Sequence, residues 1–227
     1  MKVAVLFSGG KDSCLAMHKA EQEGNTVVCL ISIISKNKES YMFHVPNIEL
    51  TALQAKAIDI PILQVETVGE KEKELDDLKN AIAQAKEDMQ IEGVVTGAVG
   101  SVYQASRVQK ICDELELWCI NPLWQMDQIE LLNELLTEKF IVCITGIFGY
   151  PLDESWLGKT ITKETIEKLA ELQDKFKLNP AGEGGEIETT VFDGPIFYEK
   201  INPKKTSTEY DNHAGTLTIE EAELVPK

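Results

Sequence analysis

The sequence predicts an α/β fold: a doubly wound parallel sheet followed by a smaller C-terminal α+β lobe. Three observations predict it. An apolar run at residues 3–7 enters a glycine-rich turn and then a helix-like stretch at 14–22. Up to about residue 145, β-branched runs of strand length alternate with longer amphipathic runs, as parallel strands joined by crossover helices do. After Tyr150 the pattern changes to one helix, a glycine-rich segment and several short strand-like pieces.

Each element has its own signal. Residues 3–7 read as the first strand, and a helix follows from about Lys11. Residues 26–34 are apolar and β-branched, as in a strand covered on both faces. Residues 47–57 read as a helix and 60–66 as the next strand, with Pro61 near its start. Residues 70–90 read as a long amphipathic helix, because Leu75, Leu78, Ile82, Ala85 and Met89 fall on one side and its charges form a solvated face. A short strand at 93–96 ends in Gly97-Ala98, and a helix at 102–115 lines up Ala105, Val108, Cys112 and Leu115. Strands at 118–120 and 140–146 flank a helix at 127–136. In the second lobe a helix at 162–176 aligns Ile166, Leu169, Leu172 and Phe176, and strand-like pieces follow near 190–192, 196–201 and 216–219. The expected division is 1–150 and 151–227. Ligands of doubly wound sheets sit beyond the C-terminal strand ends, so the loops from Ser8, near residues 35–47 and after Gly97 should converge.

Composition narrows the class. At 227 residues the chain holds one large domain, or one domain and a small appendage. No apolar run reaches the ~18 residues of a membrane span, and the leading apolar stretch ends at Ser8, so a cytoplasmic location is expected and a membrane partner is not. The five cysteines (Cys14, Cys29, Cys112, Cys119 and Cys143) form no CxxC pair, which fits reduced, mostly buried thiols and disfavours zinc or iron–sulfur sites. A formal net charge of −16 argues against an extended nucleic-acid grip and suits a basic or cationic partner. A homo-oligomer is compatible with the sequence.

The first loop, Ser8-Gly9-Gly10-Lys11-Asp12-Ser13, is the most informative segment. A strand entering a glycine-rich turn at a helix N-terminus makes a phosphate cradle: the glycines let the backbone approach an anion, and the N–H groups and helix dipole favour negative charge. Lys11 adds a cation, and Ser8 and Ser13 add hydroxyl donors. The loop is not a Walker motif, because Asp12 follows Lys11 and Val5 stands where the first glycine should be.

The SGGxDS pattern resembles the pyrophosphatase loop (PP-loop) of the N-type ATP pyrophosphatases. Further segments are similar to one branch of that superfamily, the diphthine–ammonia ligases. They are Glu39-Ser40-Tyr41-Met42-Phe43-His44 with Asn47; Gly97-Ala98 with Ser101-Val102-Tyr103-Gln104 and Arg107-Val108; Pro122-Leu123-Trp124 with Leu152-Asp153-Glu154-Ser155-Trp156-Leu157-Gly158; and Gly182-Glu183-Gly184-Gly185-Glu186-Ile187-Glu188-Thr189 with Asp193. They cover nearly the whole chain in the expected order and resemble the short archaeal form.

The resemblance implies an adenine nucleotide alpha hydrolase-like (HUP/PP-loop) fold, with an ATP-binding domain at 1–150 and a substrate and ammonia side at 151–227. It implies an AMP-forming acid–ammonia ligase. ATP adenylates the carboxylate of diphthine, a modified histidine on translation elongation factor two, and ammonia displaces AMP to give diphthamide. Lys11, the loop amides and Mg²⁺ would stabilise the departing pyrophosphate. ATP would be bound by Ser8, Gly9, Gly10, Lys11, Asp12, Ser13 and Gly97. Asp12 is the candidate magnesium carboxylate, although its position in the first turn would also stabilise the helix.

Ammonia is expected as the free ion or from a separate donor, because residue 2 is Lys2 and no Gly-x-Cys-x-Gly turn is present. Glu183, Glu186 or Glu188 would bind ammonium and take its proton; solvated acids in a turn are the simpler alternative. Tyr41, Phe43, Tyr103, Trp124 and Trp156 are candidates for a cage around the quaternary ammonium of diphthine, though each alone also suits core packing. His44, Asn47, Gln104 and Arg107 complete the substrate-binding candidates. Arg107 would pair with a phosphate or carboxylate, or in a structural ion pair. His18 reads as structural, and His213 as part of a mobile tail. The rival readings are another PP-loop adenylating ligase, tRNA-modifying or small-acid amidating, and a nucleotide-binding module without catalysis.

Overall fold

The computed structural model describes residues 1–37, 46–69 and 73–227. Two sheets share one molecule. The first contains β1 (Lys2–Leu6), β2 (Thr26–Ser35), β3 (Ile62–Thr67), β4 (Gly93–Val95) and β5 (Trp118–Ile120) in the order β3-β2-β1-β4-β5. Every neighbouring pair in it is parallel. The crossovers are α1 (Lys11–Gln22), α2 (Thr51–Ile58), α3 (Lys73–Met89) and α4 (Val102–Glu114).

Alternation along the strands explains why both faces are covered. Val3 and Val5 of β1 pack into the core that holds Cys14, Leu15 and Ala55 of α1 and α2. Ala4, between them, packs with Leu78 and Ile82 of α3 and Cys112 of α4 on the opposite face. Successive strand side chains point to opposite faces, so an apolar run buries both. The doubly wound parallel sheet is therefore as expected. Leu78, Ile82 and Ala85 of α3 are buried, as their spacing predicts.

The second sheet is antiparallel, in the order β7-β6-β9-β8. It is built from β6 (Ile141–Phe148), β7 (Ile187–Asp193), β8 (Glu199–Asp211) and β9 (Ala214–Pro226). Between its strands lie α6 (Lys163–Phe176), and before them α5 (Gln128–Thr137). This corrects one expectation. The strand at 140–146, read as the last of the alternating series, does not join the parallel sheet. It pairs antiparallel with β7 and β9. An apolar run preceded by a helix carries no information about which edge it meets. The change of sheet therefore precedes β6, whereas the expected division at residue 150 follows it.

The short strand pieces near 196–201 and 216–219 belong to one long hairpin, β8–β9. Its turn is Asn212-His213, both at positive φ (43° and 65°), the geometry of a two-residue hairpin loop. His213 is thus not in a mobile tail: its Nδ1 lies 2.8 Å from the carbonyl oxygen of Leu152. His18 is structural as expected, with its Nε2 2.9 Å from Glu138.

A single apolar core joins the sheets. Val5, Leu15 and Val95 of the parallel half pack in the same cluster as Ile144, Ile187 and Val191 of the antiparallel half. Because of that shared core, β7 runs alongside the loop that follows β1.

Candidate active site

The loop after β1 is held from three directions. Gly9 has a φ of +73°, and a Cβ there would lie 2.0 Å from Oε1 of Gln54, so glycine is required on both counts. Its carbonyl oxygen accepts from Nε2 of Gln54 at 2.9 Å and from the Val191 N–H at 3.0 Å. The Lys11 N–H donates to Oγ1 of Thr189 at 3.1 Å. At the third side Gly97 closes against the first turn of α1, where a Cβ would meet the Asp12 carbonyl carbon and the Ser13 nitrogen at 2.8 Å. Ser8 and Ser13 face each other, their hydroxyls 3.2 Å apart.

A cavity of about 350 Å³ opens over this loop. Ser8, Gly10, Lys11, Asp12 and Ser13 form its polar floor. Ile31, Ile33, Leu78 and Val108 form an apolar wall suited to a flat base. Glu183, Glu188 and Thr189 close it from the side of the second sheet. The loops after β1 and β4 therefore converge as expected, and the glycine-rich acidic loop joins them; of the third expected loop, near 35–47, residues 38–45 lie outside the described residues.

Lys11 is buried at 4% exposure, and its Nζ lies 2.8 Å from Oδ2 of Asp12. The other oxygen of Asp12 is buried with no hydrogen-bond partner. A buried carboxylate oxygen left bare at a phosphate cradle fits Mg²⁺, which commonly takes one or two carboxylates and completes its shell with substrate phosphates and water. No cluster of three acidic, histidine or cysteine side chains able to hold a metal by itself occurs among the described residues.

The acidic loop is tied to the cavity rim. Oε2 of Glu183 accepts from the Gly100 N–H at 2.8 Å. Burial, and then the Asp12 charge, raise the Glu183 carboxyl above its usual range, against the Gly100 N–H and Lys11. Burial pushes the Glu188 carboxyl up to about 7, Lys11 opposing and Asp12 adding. Glu186 is anchored by Nδ2 of Asn179 at 2.7 Å on one oxygen, and its other oxygen is buried without a partner.

The remaining candidates divide. Gln104 lines the cavity, where Ser101 caps α4 by accepting from the Gln104 N–H. Tyr103 and Arg107 lie on the same helix, with the Arg107 guanidinium 3.4 Å from the Tyr103 ring centroid. Asn47 does not line the cavity. Its side-chain amide donates to Leu217 O at 2.9 Å and accepts from the Ile219 N–H at 2.7 Å, clamping β9. Trp156 is in the core at 7% exposure, with Lys159 4.5 Å from its ring centroid, so it cannot wrap a ligand. Trp124 is partly exposed and is not in the cavity wall. Tyr41, Phe43 and His44 lie outside the described residues. Gln54 and Thr189 escaped the sequence reading as site residues, and only the segment around Thr189 carried a signal.

An all-parallel 3-2-1-4-5 sheet, a glycine-rich cradle after β1 and a Lys–Asp pair whose lysine is buried define a PP-loop nucleotide-handling α/β enzyme. Residues 1–118 match the diphthamide synthase N-terminal domain and residues 127–225 the diphthamide synthase C-terminal domain. The chain is 34% identical over 220 residues to a diphthine–ammonia ligase of Mus musculus, covering 88% of this chain and 82% of that one. It is 31% identical over 226 residues to that of Danio rerio, covering 92% and 88%. A longer diphthine–ammonia ligase, from Schizosaccharomyces pombe, is 33% identical over 217 residues, 88% of this chain and 36% of that one. The chain belongs to the diphthamide synthase family.

Proposed function

We propose that this protein amidates the carboxylate of diphthine on translation elongation factor two, using ATP and ammonia, through an acyl adenylate. One observation supports the reading beyond family membership: β7, which follows the acidic loop and carries Glu188, is hydrogen-bonded to the phosphate loop. Lys11 and Asp12 of the first loop thereby share one cavity with Glu183 and Glu188, as this reaction would require of its phosphate and ammonia sides.

In the first half-reaction the substrate carboxylate attacks the α-phosphorus of ATP, and pyrophosphate leaves with its electron pair. Lys11 and the amides at the start of α1 hold the negative charge that develops on the leaving group. Mg²⁺, held through Asp12, would supply further charge neutralisation on the phosphates. In the second half-reaction ammonia attacks the acyl carbon and AMP departs.

Ammonium must first lose a proton. Glu183 and Glu188 both carry carboxyls raised above the usual range by burial, and that of Glu188, at about 7, can accept a proton near neutral pH. Glu183, at the mouth and tied to Gly100, is the better placed for an ion entering from solvent. With a translation factor as its substrate, the enzyme would act in the cytoplasm. Among the described residues no helix is long and apolar enough to cross a membrane.

The deciding experiment measures AMP and pyrophosphate from ATP and Mg²⁺ with diphthine-bearing factor and ammonium, and follows the mass of the factor. Product formation that needs both the modification and ammonium, with the mass change of an acid-to-amide exchange, is expected. Turnover with tRNA or a small acid but not with the factor would retain the adenylation chemistry and reject this substrate.

A further inference from the structure

Glu183 sits at the tip of a turn. The Gly185 N–H donates to the carbonyl oxygen of Gly182 at 2.9 Å, which makes Glu183 and Gly184 the two central residues. The Gly182 N–H donates in turn to the carbonyl oxygen of Asn179 at 2.9 Å, so one turn carries the next. Three of the five residues from Gly182 to Glu186 are glycines, a composition that leaves a backbone many conformations to lose. A carboxylate that must meet a small ion in one orientation needs that freedom removed.

Asn179 removes it from below. Its Nδ2 donates to Oε1 of Glu186 at 2.7 Å, and its N–H reaches the same oxygen at 3.4 Å. The turn rests directly on this pair. A Cβ at Gly184 would lie 2.7 Å from both carboxylate oxygens of Glu186 and 2.8 Å from Nδ2 of Asn179. Asn179 is itself oriented by the first residue of α5. Nε2 of Gln128 donates to its Oδ1 at 3.2 Å, and Oε1 of Gln128 accepts from the Ala181 N–H at 3.0 Å. Both ends of the Asn179 amide are thus used, the acceptor toward Gln128 and the donor toward Glu186. Neither Asn179 nor Gln128 lines the cavity, whereas Glu183 does.

We propose that Asn179, oriented by Gln128 and locked to Glu186, is a positioning residue that presents Glu183 to ammonia. The proposal rests on the amidation reading above. Asn179 acts only through the turn it supports.

The test uses the full chain carrying Asn179→Asp, which keeps the size and puts an acceptor where Glu186 needs a donor. The first readout is the NMR position of the Gly100 amide proton, which donates to Glu183 at 2.8 Å and is held downfield by that charge. Asn179→Asp should move it toward its position in Glu183→Ala. The second readout is turnover with diphthine-bearing factor. KM for ammonium should rise about 10-fold with KM for ATP unchanged. In a Glu183→Ala background the same substitution should change KM for ammonium by less than about 2-fold, because its effect passes through Glu183. Gln128→Leu, outside the loop, should give both effects in smaller measure and is the second variant where Asn179→Asp does not fold. An unmoved Gly100 signal, an unchanged KM for ammonium, or an equal rise in both backgrounds would each overturn the proposal. A Gly100 signal that moves as expected in a protein whose native chain never amidates the factor would overturn the reaction reading and leave the coupling of Asn179 to Glu183 standing.

Discussion

The backbone N–H of Lys11 donates to the hydroxyl of Thr189, a contact of 3.1 Å across 178 positions of sequence. It joins the first residue of the phosphate-loop helix to the strand that follows the acidic loop. The cradle and the carboxylates are therefore parts of one site, although they come from opposite ends of the chain.

Lys11 is the cation aimed into the cradle. Lys11→Met keeps the buried stem and removes the charge. Pyrophosphate release should fall by about 10²- to 10³-fold, as when an electrostatic contact to a developing anion is lost. A release assay at saturating ATP checks this, with the thermal midpoint recorded to confirm folding.

Gly9 and Gly24 both sit at positive φ, but only Gly9 is crowded. Gly24→Ala has nothing within 4 Å to meet and should cost only about 1 kcal/mol, from backbone strain. Gly9→Ala adds the encounter with Gln54 and should cost at least ~2 kcal/mol, with loss of ATP binding. Urea denaturation of the two variants separates strain from contact.

Gln54 is fully buried and donates to the carbonyl oxygens of Gly9 and Val191, both at 2.9 Å. Gln54→Leu keeps the volume and removes both donors. The expected cost is ~1–3 kcal/mol, with a raised KM for ATP because the loop loses its strap to β7. Equal KM values with equal stability would remove Gln54 from this role.

Glu188 makes stability depend on pH. Its folded pKa is raised from 4.5 to about 7, so the folded chain binds this proton more tightly than the unfolded chain. Between those values the folded state keeps the proton and the unfolded state does not. This contribution is full below 4.5, is lost as pH rises through 7, and amounts to ~3 kcal/mol at most. Glu188→Gln should therefore gain on the native chain as pH rises from 5 to 8, in paired urea titrations. In turnover, kcat/KM for the factor should show an acid limb near pH 7 that the variant lacks.

Glu183 accepts from the Gly100 N–H and is the carboxylate proposed above for ammonia. Glu183→Ala should raise KM for ammonium by ~10-fold or more while changing KM for ATP little. Ammonium dependence identical to the native chain would reject the assignment.

Local pattern made the parallel half legible. The β-branched runs and the three-and-four spacing of α3 report burial directly, because a strand or helix must place its apolar side chains at its own period. The glycine-rich turn after β1 was legible for a similar reason, since a strand, a tight turn and a helix N-terminus need contiguous residues. β6 was misplaced because an apolar run reads the same in either sheet. The β8–β9 hairpin was fragmented because its strands are largely exposed and polar, and its turn uses His213 where a glycine would have signalled it. Asn47 and Trp156 looked like ligand residues, yet one clamps β9 and the other fills the core.

The sequence by itself determined the class of sheet, the glycine-rich strand–turn–helix of Ser8–Ser13 and the presence of an acidic glycine-rich loop, since each depends on neighbours in the chain. Only the tertiary structure decided that Thr189 and Gln54 brace the cradle and that Asp12 keeps one oxygen bare. These relationships arise from packing two sheets on one core, where contacts between residues far apart in the chain depend on how the strands pair.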